Sequence, residues 1–129
     1  MRATRLALTL ALTLGIFTPA RAATYSTPAL QAPDNGSLVC IASNVGTTPV
    51  NVTMTIYTSL GAAVTPGTDI CANDFGGVLP PGATCFQIYS AVVPFGRCTV
   101  DASSSKIRAV LLTRDPVGNV IATQAATKK

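Results

Sequence analysis

The segment 50–58 alternates between apolar and polar side chains, and this pattern constrains the fold more than any other feature of the chain. Val50, Val52, Met54 and Ile56 fall on one side of an extended segment, and the intervening positions carry Asn, Thr and Tyr. Successive side chains of a strand point to opposite faces, so this segment predicts one buried and one solvated face. Such a strand is typical of an antiparallel sheet that covers a core on one side.

Other parts of the chain have short β-rich patterns bounded by turn residues. Asp34-Asn35-Gly36, Leu79-Pro80-Pro81-Gly82 and Asp115-Pro116-Val117-Gly118-Asn119 are turn signals. About seven or eight short strands at this spacing, with no sustained helical period, predict one all-β antiparallel sandwich over residues 37–125. Besides 50–58, the predicted strands are 38–44, 62–65, 83–90, 97–102, 106–114 and 120–124.

The first 22 residues have the composition of a secretory signal peptide. Arg2 and Arg5 precede the apolar stretch Leu6–Phe17, and Ala20-Arg21-Ala22 has the small-x-small pattern that signal peptidase cleaves. The stretch is shorter than the ~20 residues of a transmembrane helix. We therefore expect cleavage after Ala22 and a mature protein that is periplasmic or secreted outside the cell, without a membrane span. Residues 23–36 are predicted to be an extended lead-in with a short edge strand near 29–31, and 126–129 a flexible tail.

Removing the signal peptide also removes much of the positive charge. The whole chain has 9 Lys and Arg against 5 acidic residues, a formal charge of +4. Three of the nine are Arg2, Arg5 and Arg21, so the mature chain keeps six against five, or +1. Binding to nucleic acid or to anionic membranes requires clustered cations on the mature surface. The composition therefore gives no support for a nucleic-acid partner.

The four cysteines all follow the signal peptide, and an even number in an exported domain predicts two disulfides. Cys40 alternates with Leu38 and Ala42, and Cys98 alternates with Val100. Both cysteines are therefore expected to point into the core from their strands. We expect Cys40 and Cys98 to form one bridge through the core.

The other two cysteines are predicted to staple a loop. Phe86 and Ile88 form the more apolar set of their strand, which places Cys85 and Gln87 on its outer side. Cys71 lies in a Gly-, Asp- and Asn-rich stretch that is expected to be irregular. These expectations give the pairs Cys40–Cys98 and Cys71–Cys85.

Several kinds of catalytic and metal site lack the residues that they need. The chain has no His, Glu or Trp, so a Ser-His-Asp or Cys-His arrangement cannot form. Zinc sites usually pair close ligands, whereas no two cysteines here are closer than Cys85 and Cys98. Asp69 and Asp74 share one loop, where capping a turn is the ordinary role and a weak calcium site the alternative. We predict no enzyme, no catalytic residue, no metal and no cofactor.

The segment 106–114 has one uniformly apolar face and one mixed face. The mixed face is apolar in the middle and basic at both ends; the candidate partner-binding residues on it are Arg108, Val110, Leu112 and Arg114. One interpretation is that another strand or the C-terminal tail covers Val110 and Leu112. The other is that this face docks a partner and that its basic ends steer an acidic surface toward it.

The turn and core motifs together resemble a known family. Asn44-x-Gly46, the alternating segment that ends at Gly61, and the corner Leu79-Pro80-Pro81-Gly82 are similar to those of immunoglobulin-like β-sandwich modules of exported bacterial proteins, of the cell-adhesion-related type. In that family an N-x-G marks the first inter-strand turn and an L-x-P-G corner precedes the strand that returns across the sandwich. The likeness covers about residues 37–114 and implies an immunoglobulin-like fold. Such sandwiches carry many unrelated functions. The whole chain is also similar to small exported proteobacterial proteins.

These patterns favour an exported, non-enzymatic module that binds a protein or cell-surface component, or that has a structural role. One alternative is a subunit of a surface assembly such as a pilus or coat, formed by edge-strand pairing with residues 23–33 as the candidate donor. The other is an inhibitor that acts through the loop 66–78, held by the Cys71–Cys85 bridge.

Overall fold

The computed structural model describes residues 22–92 and 94–129. The predicted signal peptide lies outside these residues except for Ala22. The described chain forms eleven strands and one short helix, in the order β1 (Ala23–Ser26), β2 (Leu30–Gln31), β3 (Ser37–Asn44), β4 (Val50–Thr58), β5 (Thr68–Asp69), α1 (Ile70–Asn73), β6 (Val78–Leu79), β7 (Thr84–Ser90), β8 (Phe95–Ala102), β9 (Ile107–Arg114), β10 (Val120–Ala125) and β11 (Thr127–Lys128).

The strands form two antiparallel sheets. The first sheet has the order β11-β1-β8-β4-β6, and β2 also pairs with β8. The second sheet has the order β10-β9-β3-β7-β5. Seven of the strands have four residues or more, and the other four have two residues each. The mostly antiparallel, two-sheet architecture confirms the predicted all-β sandwich.

The core lies between the sheets and is built from alternate residues of the long strands. In β4 the four apolar side chains at positions 50, 52, 54 and 56 are buried, as the alternation predicts. Leu38 from β3, Leu111 from β9 and Val100 from β8 are fully inaccessible. Burial of each such side chain contributes about 1.5–3 kcal/mol to stability.

Two disulfides fix this arrangement, and they are the two pairs that the sequence predicts. Cys40 of β3 is joined to Cys98 of β8, which ties the second sheet to the first. Cys71 of α1 is joined to Cys85 of β7. Closing loops of these lengths contributes roughly 4 and 3 kcal/mol on a chain-entropy estimate.

Parts of the predicted lead-in and tail form strands of the first sheet, among them a short strand near the predicted edge strand at 29–31. Ala23–Ser26 forms β1, which pairs with β8 along its whole length, and Leu30–Gln31 forms β2 on the same strand. Thr127–Lys128 forms β11, which pairs with β1. In β1 the side chains of Ala23 and Tyr25 are buried in the core, but a segment of four residues is too short to give a clear periodic signal in the sequence.

The predicted orientation of β7 is wrong. Cys85 and Gln87 are buried, whereas Phe86 and Ile88 are only partly buried and occupy the other side of the strand. The more apolar set of side chains therefore points away from the core. The bridge to Cys71 forms all the same, because α1 lies on the inner side of β7.

Two turns explain how the chain changes sheets beside β6. Ala83 N–H donates to Pro80 O, with Pro81 at the second position and Gly82 at φ +74° at the third, as a type II turn requires. Asn44 is buried next to this corner, and its Nδ2 donates to Leu79 O and Thr48 O. Gly46 N–H donates to Asn44 Oδ1, so one side chain closes the N-x-G turn and attaches it to β6.

Candidate functional site: the outer face of the second sheet

The outer side of the second sheet carries a patch of apolar side chains that spans three strands. Strand register aligns Ile88, Val39 and Leu112 in one row and Phe86, Ile41 and Val110 in the next. These six side chains alternate with the inward-facing residues of β7, β3 and β9. We call them the apolar outer face: Val39, Ile41, Phe86, Ile88, Val110 and Leu112.

Polar rows border the apolar outer face at both ends. At one end the row is Thr84, Ser43 and Arg108, and Ser43 Oγ lies 2.8 Å from Thr84 Oγ1. At the other end the row is formed by Ser90, Ser37 and Arg114. An apolar centre within a polar rim is the usual anatomy of a protein–protein interface.

The apolar outer face is not part of the main core. Val39 and Leu112 keep only 1% and 8% of their side-chain exposure, although neither belongs to the cluster between the sheets. In the register Val39 lies between Ile88 and Leu112, and Leu112 lies between Val39 and Thr123 of β10. The remaining four side chains keep intermediate exposure.

Two coverings that the sequence suggested for Val110 and Leu112 are placed elsewhere by the structure. β10 lies beside β9, with Ala125 opposite Val110 and Thr123 opposite Leu112. The C-terminal segment crosses to the first sheet, where Thr127 and Lys128 pair with β1. Neither element lies across the apolar outer face.

The two arginines differ in their surroundings. Arg108 is exposed, whereas Arg114 is partly buried and its Nε is sealed without a hydrogen-bond partner among residues 22–92 and 94–129. The burial of Nε leaves the terminal nitrogens of Arg114 as the groups that a partner can reach.

Asp115, the acidic neighbour of Arg114 in the chain, is engaged in the β9–β10 turn. Its carboxylate accepts from the Asn119 side chain and from the backbone N–H groups of Asn119 and Val117. The Asn119 side-chain hydrogen bond, joined by the backbone ones, lowers the pKa of Asp115. These hydrogen bonds lie within the turn, and the polar rows beside the apolar outer face contain arginines and no carboxylate.

The sequence therefore predicted two of the six residues of the apolar outer face, Val110 and Leu112. Arg108, Val110, Leu112 and Arg114 share one side of β9, as expected. The contributions of β3 and β7 were missed, although Val39 and Ile41 already alternate with Leu38, Cys40 and Ala42 in the sequence. Because β3 is apolar on both sides, its sequence could have indicated a second apolar surface outside the core.

The loop 66–78, the candidate inhibitory loop, is more regular than predicted. It contains β5 and α1, and Asp69 caps α1 by accepting from Ala72 N–H at 3.0 Å. Asp74 follows the helix as its C-terminal cap and is exposed. No group of three or more potential metal-ligating side chains occurs in the part of the chain that the structure describes.

The comparisons with known proteins found no relative of this chain. The described residues contain no helix with the length and apolar character of a membrane crossing. No family model, curated protein or solved structure matches the chain.

Proposed function

We propose that this protein is an exported, non-enzymatic binding module that docks a protein through the apolar outer face. The partner surface has an apolar centre and acidic side chains at two ends. The observation that carries the proposal is the arrangement of the face itself, six apolar side chains on three paired strands with Arg108 and Arg114 at opposite ends. A carboxylate opposite each arginine would fix the orientation of the partner and speed its association.

Export is supported by the N-terminal residues and by the disulfides. Arg2, Arg5 and the apolar stretch 6–17 have the pattern of a signal peptide, and two disulfides persist in an oxidising compartment. A non-enzymatic role is supported by the lack of His and Glu in the sequence. The likeness to immunoglobulin-like modules is proposed for the architecture and not for strand order, because proteins of that architecture do not all share one topology.

The proposal is tested by site-specific photo-crosslinking in the native host. A photoreactive amino acid replaces Val110 in the apolar outer face or, as the matched control, Thr55 on the outer side of the first sheet. We expect one adduct from position 110, identified by mass spectrometry, and none from position 55. The identified partner is then purified and its affinity for the wild-type protein is measured.

Charge reversal tests the acidic rim. The double variant R108E/R114E should bind the purified partner at least about tenfold more weakly, and higher salt should weaken wild-type binding. The control T84E/S90E places carboxylates at the other ends of the same polar rows. If the two arginines themselves contact the partner, this control should lower the affinity less than R108E/R114E does. Equal adducts from positions 55 and 110, or an affinity unchanged by R108E/R114E, would contradict the proposal.

A second candidate, a subunit of a surface assembly, is favoured by one observation. β10 forms an edge of the second sheet, its sequence VIATQA has no charge, and Val120 and Ile121 are 55% and 56% exposed. Natural edge strands are usually protected by charges or proline. The earlier donor candidate, 23–33, is already engaged, because β1 and β2 pair with β8 in the same chain. Light scattering at increasing concentration separates the two candidates. The average molar mass should rise with concentration for an assembly subunit, and a constant monomer mass would contradict the assembly hypothesis.

A further inference from the structure

A cavity of about 320 Å³ opens on the side of the sandwich, away from the apolar outer face. It lies between β4 of the first sheet and α1 and β7 of the second, near the low end of the ~300–1,000 Å³ range of ligand pockets. Its lining residues are Val52, Thr53, Met54, Asp69, Cys71, Ala72, Gly76, Gly77 and Gln87.

The cavity coincides with a gap in the pairing of β4. On the edge that faces away from β8, β6 pairs only with Val50 and Asn51, and Val52 N–H donates to Gly77 O. Pairing resumes where Val64 N–H donates to Ile56 O. In an antiparallel strand the N–H and C=O of one residue point to the same edge, and so do those of every second residue. Met54 therefore presents both of its backbone groups to the gap.

Val52 also contributes an open acceptor to the cavity. Gly77 N–H donates to Cys71 O and not to Val52 O, which would complete the pair in a continued ladder. The backbone of Gly77 has φ +78°, a conformation that favours glycine, and this turns its N–H toward α1. Val52 O thus faces the cavity without that partner.

Gln87 is the polar side chain that bridges the gap, and it is 6% exposed. Its Nε2 donates to Met54 O at 3.2 Å and to Asp69 Oδ2 at 2.7 Å. Both partners are acceptors, so the atom that contacts them is the amide nitrogen and not the carbonyl Oε1, which can accept a further hydrogen bond. Oε1 has no hydrogen-bond partner among the described residues, yet it is not sealed from solvent. The cavity is the accessible space that Gln87 borders.

The lining offers more acceptors than donors. Gln87 Oε1, Val52 O and the Asp69 carboxylate can accept and Met54 N–H can donate, and the one charged side chain among the described lining residues is Asp69. A protonated amine offers three donors and a positive charge, which matches three acceptors of which one is anionic. We propose that this cavity is a binding site for a primary ammonium group, held by Asp69, Gln87 and the open edge of β4.

The Cys71–Cys85 bridge makes the site rigid. Cys71 lines the cavity, and its partner Cys85 lies two residues from Gln87 on the same side of β7. The bridge therefore holds the α1 wall at a fixed distance from the Gln87 acceptor. A preformed site loses less conformational entropy on binding.

Amide NMR titration of the exported protein, with both disulfides formed, tests the proposal. The probes are n-butylammonium and, as the neutral control of the same shape, n-butanol. We expect saturable shifts at Met54, Ala72 and the Gln87 side-chain amide with n-butylammonium, weakened by added salt, and none that saturate with n-butanol. Equal responses to the two probes, no saturation by n-butylammonium, or shifts confined to other residues would overturn the proposal.

Two variants probe the wall and the charge separately. A72F fills the cavity from an exposed helical position and should abolish binding, whereas N73F adds the same ring one residue away, outside the lining, and should bind as the wild type does. D69N keeps an acceptor for the α1 cap but loses the charge, and should weaken binding about tenfold or more. Unchanged binding in a folded A72F variant would contradict the assignment.

Nα-acetyl-lysine methylamide distinguishes the two sources of the ammonium group. Tighter binding than that of n-butylammonium assigns the site to a lysine side chain of a protein or peptide. Weaker binding assigns it to a free small amine. Both results support an ammonium site, and the n-butanol control decides whether there is one.

Discussion

The two outer faces of the sandwich have opposite chemistry. On the first sheet, Thr24 Oγ1 donates to Asp101 Oδ1 at 2.6 Å, and the Arg97 guanidinium lies 4.8 Å from the centre of the Tyr57 ring. These four polar or charged side chains have partners within the same sheet. On the second sheet, the equivalent side carries the apolar outer face, with arginines in both bordering rows and no acidic residue in those rows.

The two faces differ in composition, and this difference is the reason for proposing the second face as a docking face. A single exposed valine or leucine is ordinary on a protein surface. Six aligned apolar side chains on three strands are not ordinary for a face that contacts only water. The first sheet serves as an internal reference for the second.

The largest expected effect comes from placing a carboxylate at equivalent places on the two faces. V39D should lower the free energy of unfolding by about 3 kcal/mol or more, because Val39 is 1% exposed and a buried unpaired charge is costly. T55D on the first sheet should cost within about 1 kcal/mol. Urea unfolding at neutral pH measures both.

If V39D does not fold, V39T keeps the shape and adds a hydroxyl, and should still cost more than T55D. Similar losses for V39D and T55D would contradict the difference in burial between positions 39 and 55.

A smaller effect is expected inside β9, where neighbouring residues face opposite environments. Thr113 is 0% exposed and its Oγ1 has no hydrogen-bond partner among residues 22–92 and 94–129. T113V removes the unpaired hydroxyl at constant shape and should stabilise the protein by about 1 kcal/mol. Thermal unfolding should show a midpoint about 4–8 °C higher.

T123V is the control for this substitution, since Thr123 is exposed on the adjacent strand β10. It should change stability within about 0.5 kcal/mol. A destabilised T113V variant would show that the hydroxyl has a partner or that the site does not accept a methyl group.

The pairing on the first face is expected to have a modest energy. A double-mutant cycle with Y57L and R97M should give a coupling of about 0.5–1 kcal/mol, which is typical of an exposed cation–π contact. Chemical denaturation of the four proteins measures it. A coupling indistinguishable from zero would show that the contact between Arg97 and Tyr57 does not stabilise the protein.

The smallest effect concerns the turn beside Arg114. Hydrogen bonds to the carboxylate, led by that from the Asn119 side chain, lower the pKa of Asp115 from its ordinary 3.8. Its contribution to stability is therefore present above about pH 4 and is lost as the pH falls through the lowered pKa of the folded state. Carboxyl NMR titration should give a pKa below 3.8, and N119A should move it upward. A pKa unmoved by N119A would contradict this cause.

The sequence predicted the architecture where alternation and turn chemistry agree. β4 has one apolar and one polar side, so its orientation follows from burial alone. The corner at Pro80–Gly82 and the hairpin after Arg114 follow from residues that set the backbone conformation locally. The pair Cys40–Cys98 could be predicted because both cysteines alternate with apolar neighbours. The other two cysteines then form the second pair.

The failures have a common physical origin. In β7 one side contacts the core and the other belongs to the apolar outer face. The assumption that the more apolar side faces the core therefore gave the wrong orientation. Gln87 points inward because Met54 O and Asp69 offer it acceptors, which sequence periodicity does not register. β1 and α1 are defined by pairing with β8 and by a single capping carboxylate, and are too short for a periodic signal.

The pairing of β1 with β11 places two distant parts of the chain side by side. Tyr25 lies opposite Lys128 at the margin of the first sheet, on the other side of the core from the apolar outer face. A dye, a bead or a fused protein attached near Lys128 would thus leave the second sheet free. Immobilised assays of the proposed docking face can use this geometry directly.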